Sequence, residues 1–243
     1  MKQGKHYQRM EETRAQVLRY AVVLFLEQGY RETTLDQIAR RIDRTKGAVL
    51  RAYPDKEAIL YALVTHMFRT QFSAARSMLG ENADALLIYC VETALQLHIC
   101  ELGEPLRDLY TAAYTLPTTA DYIYRSTAQE LQRIFGKYLP DAAESDFYEL
   151  DLVSGGVMRS LMARKCDMYF TIEKKIALFL RCSLKIYDVP AQEREAVILQ
   201  VQAMDLAAMA RSTVENTVRL AQAGFDRDTL RASAADEREE DTL

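Results

Sequence analysis

The chain has 243 residues and a formal net charge of −4, and about half of its residues are hydrophobic. This length allows one or two domains with a sizeable core. The sequence contains no run of 18 apolar residues, so we expect no membrane-spanning helix. The basic start is not followed by the apolar stretch of a secretory signal, so we expect a cytoplasmic protein.

Cysteine and histidine are sparse. The four cysteines lie far apart and form no Cys-x-x-Cys pair, and there are only three histidines. This pattern favours small buried thiols over disulfides or a zinc site. We therefore expect no metal and no cofactor.

The charge is unevenly distributed along the chain. Residues 1–56 carry twelve basic and seven acidic side chains, a net +5, which leaves −9 for the remainder. This asymmetry predicts a basic N-terminal head for a polyanion and an acidic body that is kept away from it.

The head is predicted to be helical. Apolar residues recur at helical spacing over residues 11–28, and Gly29 is placed to end that helix. Thr34, with Gln37 three residues later, predicts a capping box at the start of a short second helix.

A turn and a third short helix follow. Residues 42–44 predict a three-residue turn, and Thr45 is placed to cap a helix that ends near Tyr53. Two short helices joined in this way form a helix-turn-helix. The later helix is small at Gly47 and basic at Arg51, as insertion into a major groove requires.

Residues 14–63 resemble the TetR family of transcription regulators. The residues that match the family's spacing are Ala21, Phe25, Gly29, Tyr30, Thr33, Thr34, Ile38, Ala39, Thr45, Lys46, Gly47, Tyr53, Lys56, Glu57 and Leu60. The resemblance implies a homodimer that binds a palindromic operator in double-stranded DNA. It also implies a helical C-terminal body that binds a small-molecule effector. Effector binding would then release the protein, a repressor, from its operator.

The segment departs from the family pattern at three positions. Asp43 stands where the turn usually has glycine, and aspartate tolerates left-handed geometry. Leu50 replaces a phosphate-contacting tyrosine, and Ala52 replaces a residue that is often histidine. Leu50 cannot donate to a phosphate, although it can contact a thymine methyl group.

The resemblance assigns roles to nine residues. Those expected to position the DNA backbone are Thr33, Thr34, Tyr53 and Lys56. Those expected to contact the groove are Arg44, Thr45, Lys46, Gly47 and Arg51. Arg51 is the first candidate for reading a base, because arginine can pair bidentately with guanine.

The body is also predicted to be helical, so the fold class is all-α. Its expected helices cover residues 83–102, 105–116, 117–138, 145–169, 172–189 and 190–223. The last is expected to be unbroken and about 50 Å long. The predicted domains are a helix-turn-helix head (1–65), a ligand-binding and dimerisation body (66–225) and a disordered acidic tail (226–243).

Two groups of body residues are candidate sites. The candidates for effector contact are Tyr89, His98, Tyr110, Tyr114, Met158 and Met162, which suit an aromatic or hydrophobic ligand. Two glycines within one predicted helix indicate a close approach of another backbone or a bend. We place Gly155, Val157, Leu161 and the helix over residues 172–187 at the dimer interface, with an internal kink as the alternative.

Three other functions are open at this stage. A TetR-like architectural or division-control protein would bind DNA without an effector, and a helical bundle could serve protein interaction alone. An enzyme finds no support, because no catalytic constellation is visible and only His98 could act as an internal base.

Overall fold

The computed structural model describes residues 2–68, 73–80 and 82–223. In this part of the chain the fold is all-α, with twelve helices and no strand. The helices are α1 (Lys2–Gln28), α2 (Leu35–Arg41), α3 (Lys46–Ala52), α4 (Lys56–Phe68), α5 (Ser73–Leu79), α6 (Ala85–Ile99), α7 (Glu104–Ala113), α8 (Pro117–Phe135), α9 (Glu144–Ala163), α10 (Ile172–Ile186), α11 (Ala191–Gln202) and α12 (Leu206–Ala223). The predicted acidic tail over 226–243 lies outside the described residues.

The first three helices and α4 form the head. α1 begins earlier than predicted, at Lys2, since residues 2–10 contain no proline that would interrupt the helix. It ends at Gly29, whose φ of +91° lies in the left-handed region that glycine adopts without strain. The head core is continuous with Leu109, Ile123 and Tyr124 of the body.

The body is built around α6. Eleven of the fifteen residues of this helix are buried, which confirms its predicted central position. α5, α8, α10, α11 and α12 pack against it, and α12 also contacts α1 of the head. None of the helices in the described ranges is long and apolar enough to cross a membrane.

The predicted helix over 190–223 is interrupted, which corrects the expectation of one unbroken rod. α11 ends at Gln202, and α12 begins at Leu206. The carboxylate of Asp205 accepts a hydrogen bond from the backbone N–H of Ala208 at 3.0 Å, as an N-cap does. The break lets the two segments pack on different neighbours of the body.

The helix predicted over 145–169 ends six residues early, at Ala163. Asp167 lies in the connection to α10, and its carboxylate accepts hydrogen bonds from the N–H groups of Tyr169 (2.8 Å) and Phe170 (2.9 Å). Aspartate side chains that bond the backbone two or three residues on stabilise turns in place of helix.

Gly155 lies inside one chain and not at the predicted dimer interface. It is buried where α9 crosses α8, and a Cβ built on it would lie 2.4 Å from Cε1 of Tyr124. The glycine is required by close packing within the protomer. The next residue, Gly156, points away from Tyr124, and a Cβ there would meet no atom of another helix within 4 Å.

The contact between Gly155 and Tyr124 gives a stability prediction. We expect Gly155→Ala to lower the free energy of unfolding by about 1–3 kcal/mol, because overpacking forces the tyrosine or the helix to move. The measurement is denaturant unfolding of the single variants and of the double variant with Tyr124→Leu.

In that double-mutant cycle, the alanine should cost clearly less when residue 124 is leucine. Strictly additive losses would contradict the assigned contact.

Candidate DNA-binding head and ligand cavity

The helix-turn-helix has the capped geometry that its sequence predicts. The Thr34 hydroxyl accepts from the N–H of Gln37, and the Gln37 side chain accepts from the N–H of Thr34. Thr45 accepts from the N–H of Ala48 and so caps α3. Asp43 has φ +52°, which confirms that aspartate adopts the left-handed turn position.

One face of this motif is exposed and basic. Its exposed residues are Thr34, Arg44, Thr45, Lys46, Gly47, Leu50 and Arg51. No described carboxylate pairs with Arg44 or Arg51 within 4 Å, whereas Lys46 pairs with Asp36 at 2.8 Å. Both partners of that pair are about half exposed, so the pair contributes little to stability, and phosphate can compete for the lysine.

Gly47 and Leu50 shape the centre of this face. A Cβ on Gly47 would lie 3.7 Å from a terminal nitrogen of Arg51, which is an ordinary van der Waals contact, so the glycine keeps this part of the face low without being required by the guanidinium. Leu50 is 41% exposed on the same face. An exposed leucine between polar groups suits apolar contact with a thymine methyl group.

Thr33 and Tyr53 are fully buried, which corrects their prediction as residues that position the DNA backbone. The Thr33 hydroxyl donates to the carbonyl of Gly29 at 2.7 Å. The Tyr53 ring packs beneath the guanidinium of Arg14, 4.6 Å from its centroid. Both side chains are therefore used in contacts within the head.

Lys56 also serves the fold, which corrects its predicted phosphate contact. Its Nζ donates to the carbonyls of Tyr30 (2.7 Å), Thr33 (2.8 Å) and Arg31 (3.2 Å). These three acceptors use all three N–H donors of the ammonium group. Burial lowers the pKa of Lys56, and the nearby Asp108 and Glu32 oppose that shift.

A cavity of about 390 Å³ lies between the head and the body. α1 and α4 of the head form one part of its wall, and α6, α7 and α12 form the rest, with single residues from α5 and α8. The lining is mainly apolar. This size and character are those of pockets that hold small organic molecules.

Of the six predicted effector contacts, two line the large cavity, two line only a smaller cavity, and two line neither. Tyr110 and Tyr114 line the large cavity. Tyr89 and Met158 line a smaller cavity of about 30 Å³, which shares Gln96, Tyr114 and Ile123 with the large one.

His98 and Met162 line neither cavity, which corrects their prediction. Met162 is fully buried in the body core. His98 is only partly buried, and Glu173 and Arg211 are the charged groups of α10 and α12 that act on it.

The small cavity adjoins a buried polar network. Tyr89 hydrogen-bonds Ser183 at 2.6 Å, and the Ser154 hydroxyl lies 3.0 Å from that of Tyr187. Asp151 accepts from Thr127 at 2.6 Å. The space itself holds about one water molecule, so it does not serve as an organic-ligand site.

Sequence reasoning missed several cavity residues. Glu92 is the main one, although a carboxylate within an otherwise apolar helix was a visible signal. Gln96 and His66 were also missed, although each is a polar residue within an apolar helix. The α12 residues Thr213, Asn216 and Thr217 could not be placed, because their helix was predicted to be part of one long rod.

No group of three or more potential metal-ligating His, Cys, Asp or Glu side chains occurs among the described residues. The buried thiols Cys90 and Cys100 lie apart in the core and are free. Their pKa values are raised by burial, which makes them poor nucleophiles.

Comparison with known proteins agrees with this architecture. Residues 17–63 match the family model of bacterial regulatory proteins of the tetR family. The fold is similar to that of RolR in complex with resorcinol, with a TM-score of 0.63 and 16% identity over 79% of this chain and 95% of that one. No curated protein matches the sequence at a significant level.

A second similar structure is SmeT, the repressor of the Stenotrophomonas maltophilia multidrug efflux pump SmeDEF. Its TM-score is 0.51, with 19% identity over 73% of this chain and 91% of that one. At these identities the likeness establishes a shared fold over head and body together.

The basic helix-turn-helix and the match to the family model together identify the head as a DNA-binding domain of the tetR family. Head and body together share the fold of RolR and SmeT.

The exposed arginine of α3 gives a test of the DNA-binding face. We expect Arg51→Ala to weaken binding to an operator selected from a random DNA pool by roughly 10- to 100-fold, as loss of a base contact does. The measurement is fluorescence anisotropy at one salt concentration. Arg133→Ala, an exposed arginine on α8, is the control and should leave affinity unchanged. Equal affinities for the two variants would refute the assignment.

Proposed function

We propose that this protein is a dimeric transcriptional repressor that a small molecule releases from a palindromic operator. The observation that carries the proposal is the shared wall of the cavity. Leu60, Leu63 and Val64 of α4 and Val22 of α1 belong to the head core and also line the cavity. A ligand there touches the helices on which the recognition helix is packed.

A polar contact adds a second connection between cavity and head. Asp108 of α7 accepts hydrogen bonds from the backbone N–H and the side chain of Arg31, in the turn after α1. α7 also lines the cavity through Leu109, Tyr110 and Tyr114. A ligand that moves α7 therefore pulls on the turn that precedes α2.

These features favour a ligand-responsive regulator over an architectural DNA-binding protein. A cavity that large has no stabilising role, because the lining residues lose packing contacts. RolR, whose fold is similar, has been solved in complex with resorcinol, a small aromatic compound. This supports a ligand-binding role for the body of the present protein. We propose residue 65 as the approximate boundary between head and body and a location with the DNA, in the cytoplasm.

The dimer interface is proposed to form on α9 and α10, which pack against each other. Large apolar side chains are exposed on these helices at Val153 (56%), Leu178 (45%) and Leu152 (42%). The open position at Gly156 lies on the same face of α9, so a partner helix can approach closely there. Val157 and Leu161, which are only partly buried, lie beside this face.

A two-fold axis would bring the same apolar patch of two copies face to face, so that each copy buries the exposed side chains of the other. We expect Leu178→Glu to convert the dimer to monomer at micromolar concentration, because the new charge would be buried without a partner. The measurement is sedimentation equilibrium. Leu102→Glu, at a comparably exposed leucine between α6 and α7, is the control. A Leu178→Glu variant that sediments as the wild-type dimer would contradict the interface.

The proposed function is tested by selecting bound duplexes from a random DNA pool. We expect a symmetric site whose half-sites lie one helical turn apart, about 34–36 Å centre to centre, because two heads related by a two-fold axis contact successive major grooves. Recovery of no sequence, or of an asymmetric one, would contradict a dimeric operator-binding regulator.

A further inference from the structure

The described wall of the large cavity carries a single formally charged side chain, which is acidic. Among the described residues that line the large cavity, Glu92 is the only one with a formally charged side chain at neutral pH, and no lysine or arginine is present. Glu92 forms no salt bridge with any described residue. A ligand that brings a positive charge would therefore meet no competing cation on the described wall.

Glu92 lies one helical turn before Gln96 on the same cavity wall. The Tyr114 hydroxyl donates to Oε1 of Gln96 at 3.0 Å, so the amide nitrogen of Gln96 remains available as a donor. Burial raises the pKa of Glu92, and the side chain of Gln96 opposes that shift.

A second carboxylate lies in the adjoining small cavity. Asp151 lines that space, which shares Gln96 and Tyr114 with the large cavity. Its hydrogen-bond partners are the hydroxyl groups of Thr127, Ser154 and Tyr187, and it pairs with no described cation. Burial likewise raises its pKa. The large cavity therefore presents one carboxyl group and has a second one in the space beside it, and neither has a described counter-charge.

We propose that the effector is a lipophilic amine whose ammonium group binds Glu92 while its apolar part fills the cavity. The inference rests on the proposed function, since it names the ligand class for the same cavity. A buried carboxylate gains most from a cation that is also a hydrogen-bond donor. The apolar wall, which includes Leu95, Ile99 and Leu106, suits an aryl or alkyl group.

The same arrangement discriminates against acids. A ligand carboxylate near Glu92 and Asp151 would be buried beside like charges, which costs free energy whether it stays ionised or takes up a proton. Neutral ligands fall between the two cases, because they fill the apolar space without pairing with Glu92.

Amine binding should depend on pH. Glu92 must be ionised to pair, so affinity for a permanently protonated amine rises as the pH increases through the raised pKa of Glu92. The other titratable groups on the described wall are His66 of α4 and Tyr110 and Tyr114 of α7. Burial raises the pKa of both tyrosines, so they stay neutral in this range.

The remaining elements of the described wall, α1, α5, α8 and α12, contribute no titratable side chain. Any pH dependence that persists in Glu92→Gln therefore belongs to His66 or to Asp151 in the adjoining small cavity.

The test uses isothermal titration calorimetry of the full-length protein with three probes of equal shape: 4-phenylbutylamine, 4-phenylbutan-1-ol and 4-phenylbutanoic acid. At pH 7.5 we expect the amine to bind at least about tenfold more tightly than the alcohol, and the acid not to bind detectably. This comparison needs no variant, so it does not depend on the folding of a mutant.

Glu92→Gln should remove the preference for the amine and leave alcohol affinity within about twofold. Glu144→Gln, at an exposed glutamate of α9, is the control and should keep the preference. An alcohol or acid that binds as tightly as the amine, or an amine that does not bind, would overturn the proposal.

Operator affinity measured with each bound probe separates this proposal from the proposed function. If the alcohol or the acid releases DNA as well as the amine does, the proposed ligand-responsive regulator is supported and the amine proposal fails. If the amine preference holds but no bound probe changes operator affinity, the effector role of the cavity fails.

Discussion

Helices α1 and α4 are packed on both sides, and the rest of the structure depends on this constraint. On one side they bury the core that supports α2 and α3, and on the other they line the 390 Å³ cavity. Side chains such as Leu60 and Leu63 belong to both environments. Since protein interiors are packed to crystal-like density, a ligand that displaces these side chains on the cavity side changes the packing on the head side.

The body connects that local change in packing to the proposed dimer interface. α7 connects the cavity wall to the turn before α2 through Asp108 and Arg31. α8 follows α7, and it lies close to α9 because Gly155 leaves room for the Tyr124 ring. α9 in turn carries the exposed apolar face. The chain of contacts thus runs from the turn before α2 through α7, α8 and α9 to the proposed dimer face.

Local sequence signals predicted the head well. The caps at Thr34 and Thr45 and the left-handed turn at Asp43 each depend on residues within three positions, so they can be inferred from the sequence. The break at Asp205 was missed, although the residue is a good N-cap, because helical periodicity on both sides concealed it. Helix boundaries of this kind depend on which neighbours the two segments pack against.

The roles of several site residues could not be predicted, because they depend on pairs far apart in the chain. Thr33, Tyr53 and Lys56 sit at positions that match a DNA-binding pattern, yet their side chains are used within the head. Gly155 has its partner 31 positions away in Tyr124. Glu92 is informative only once four surrounding helices show that it faces a cavity whose described wall carries no cation.

The central claim is that occupancy of the shared cavity sets the affinity of the heads for DNA. It can be tested without a ligand by Ala113→Trp, in which the indole fills part of the cavity from α7. The chain contains no other tryptophan, so blue-shifted emission reports that the indole is buried. The account predicts a folded dimer whose operator affinity falls at least about tenfold. A buried indole with wild-type operator affinity would contradict it.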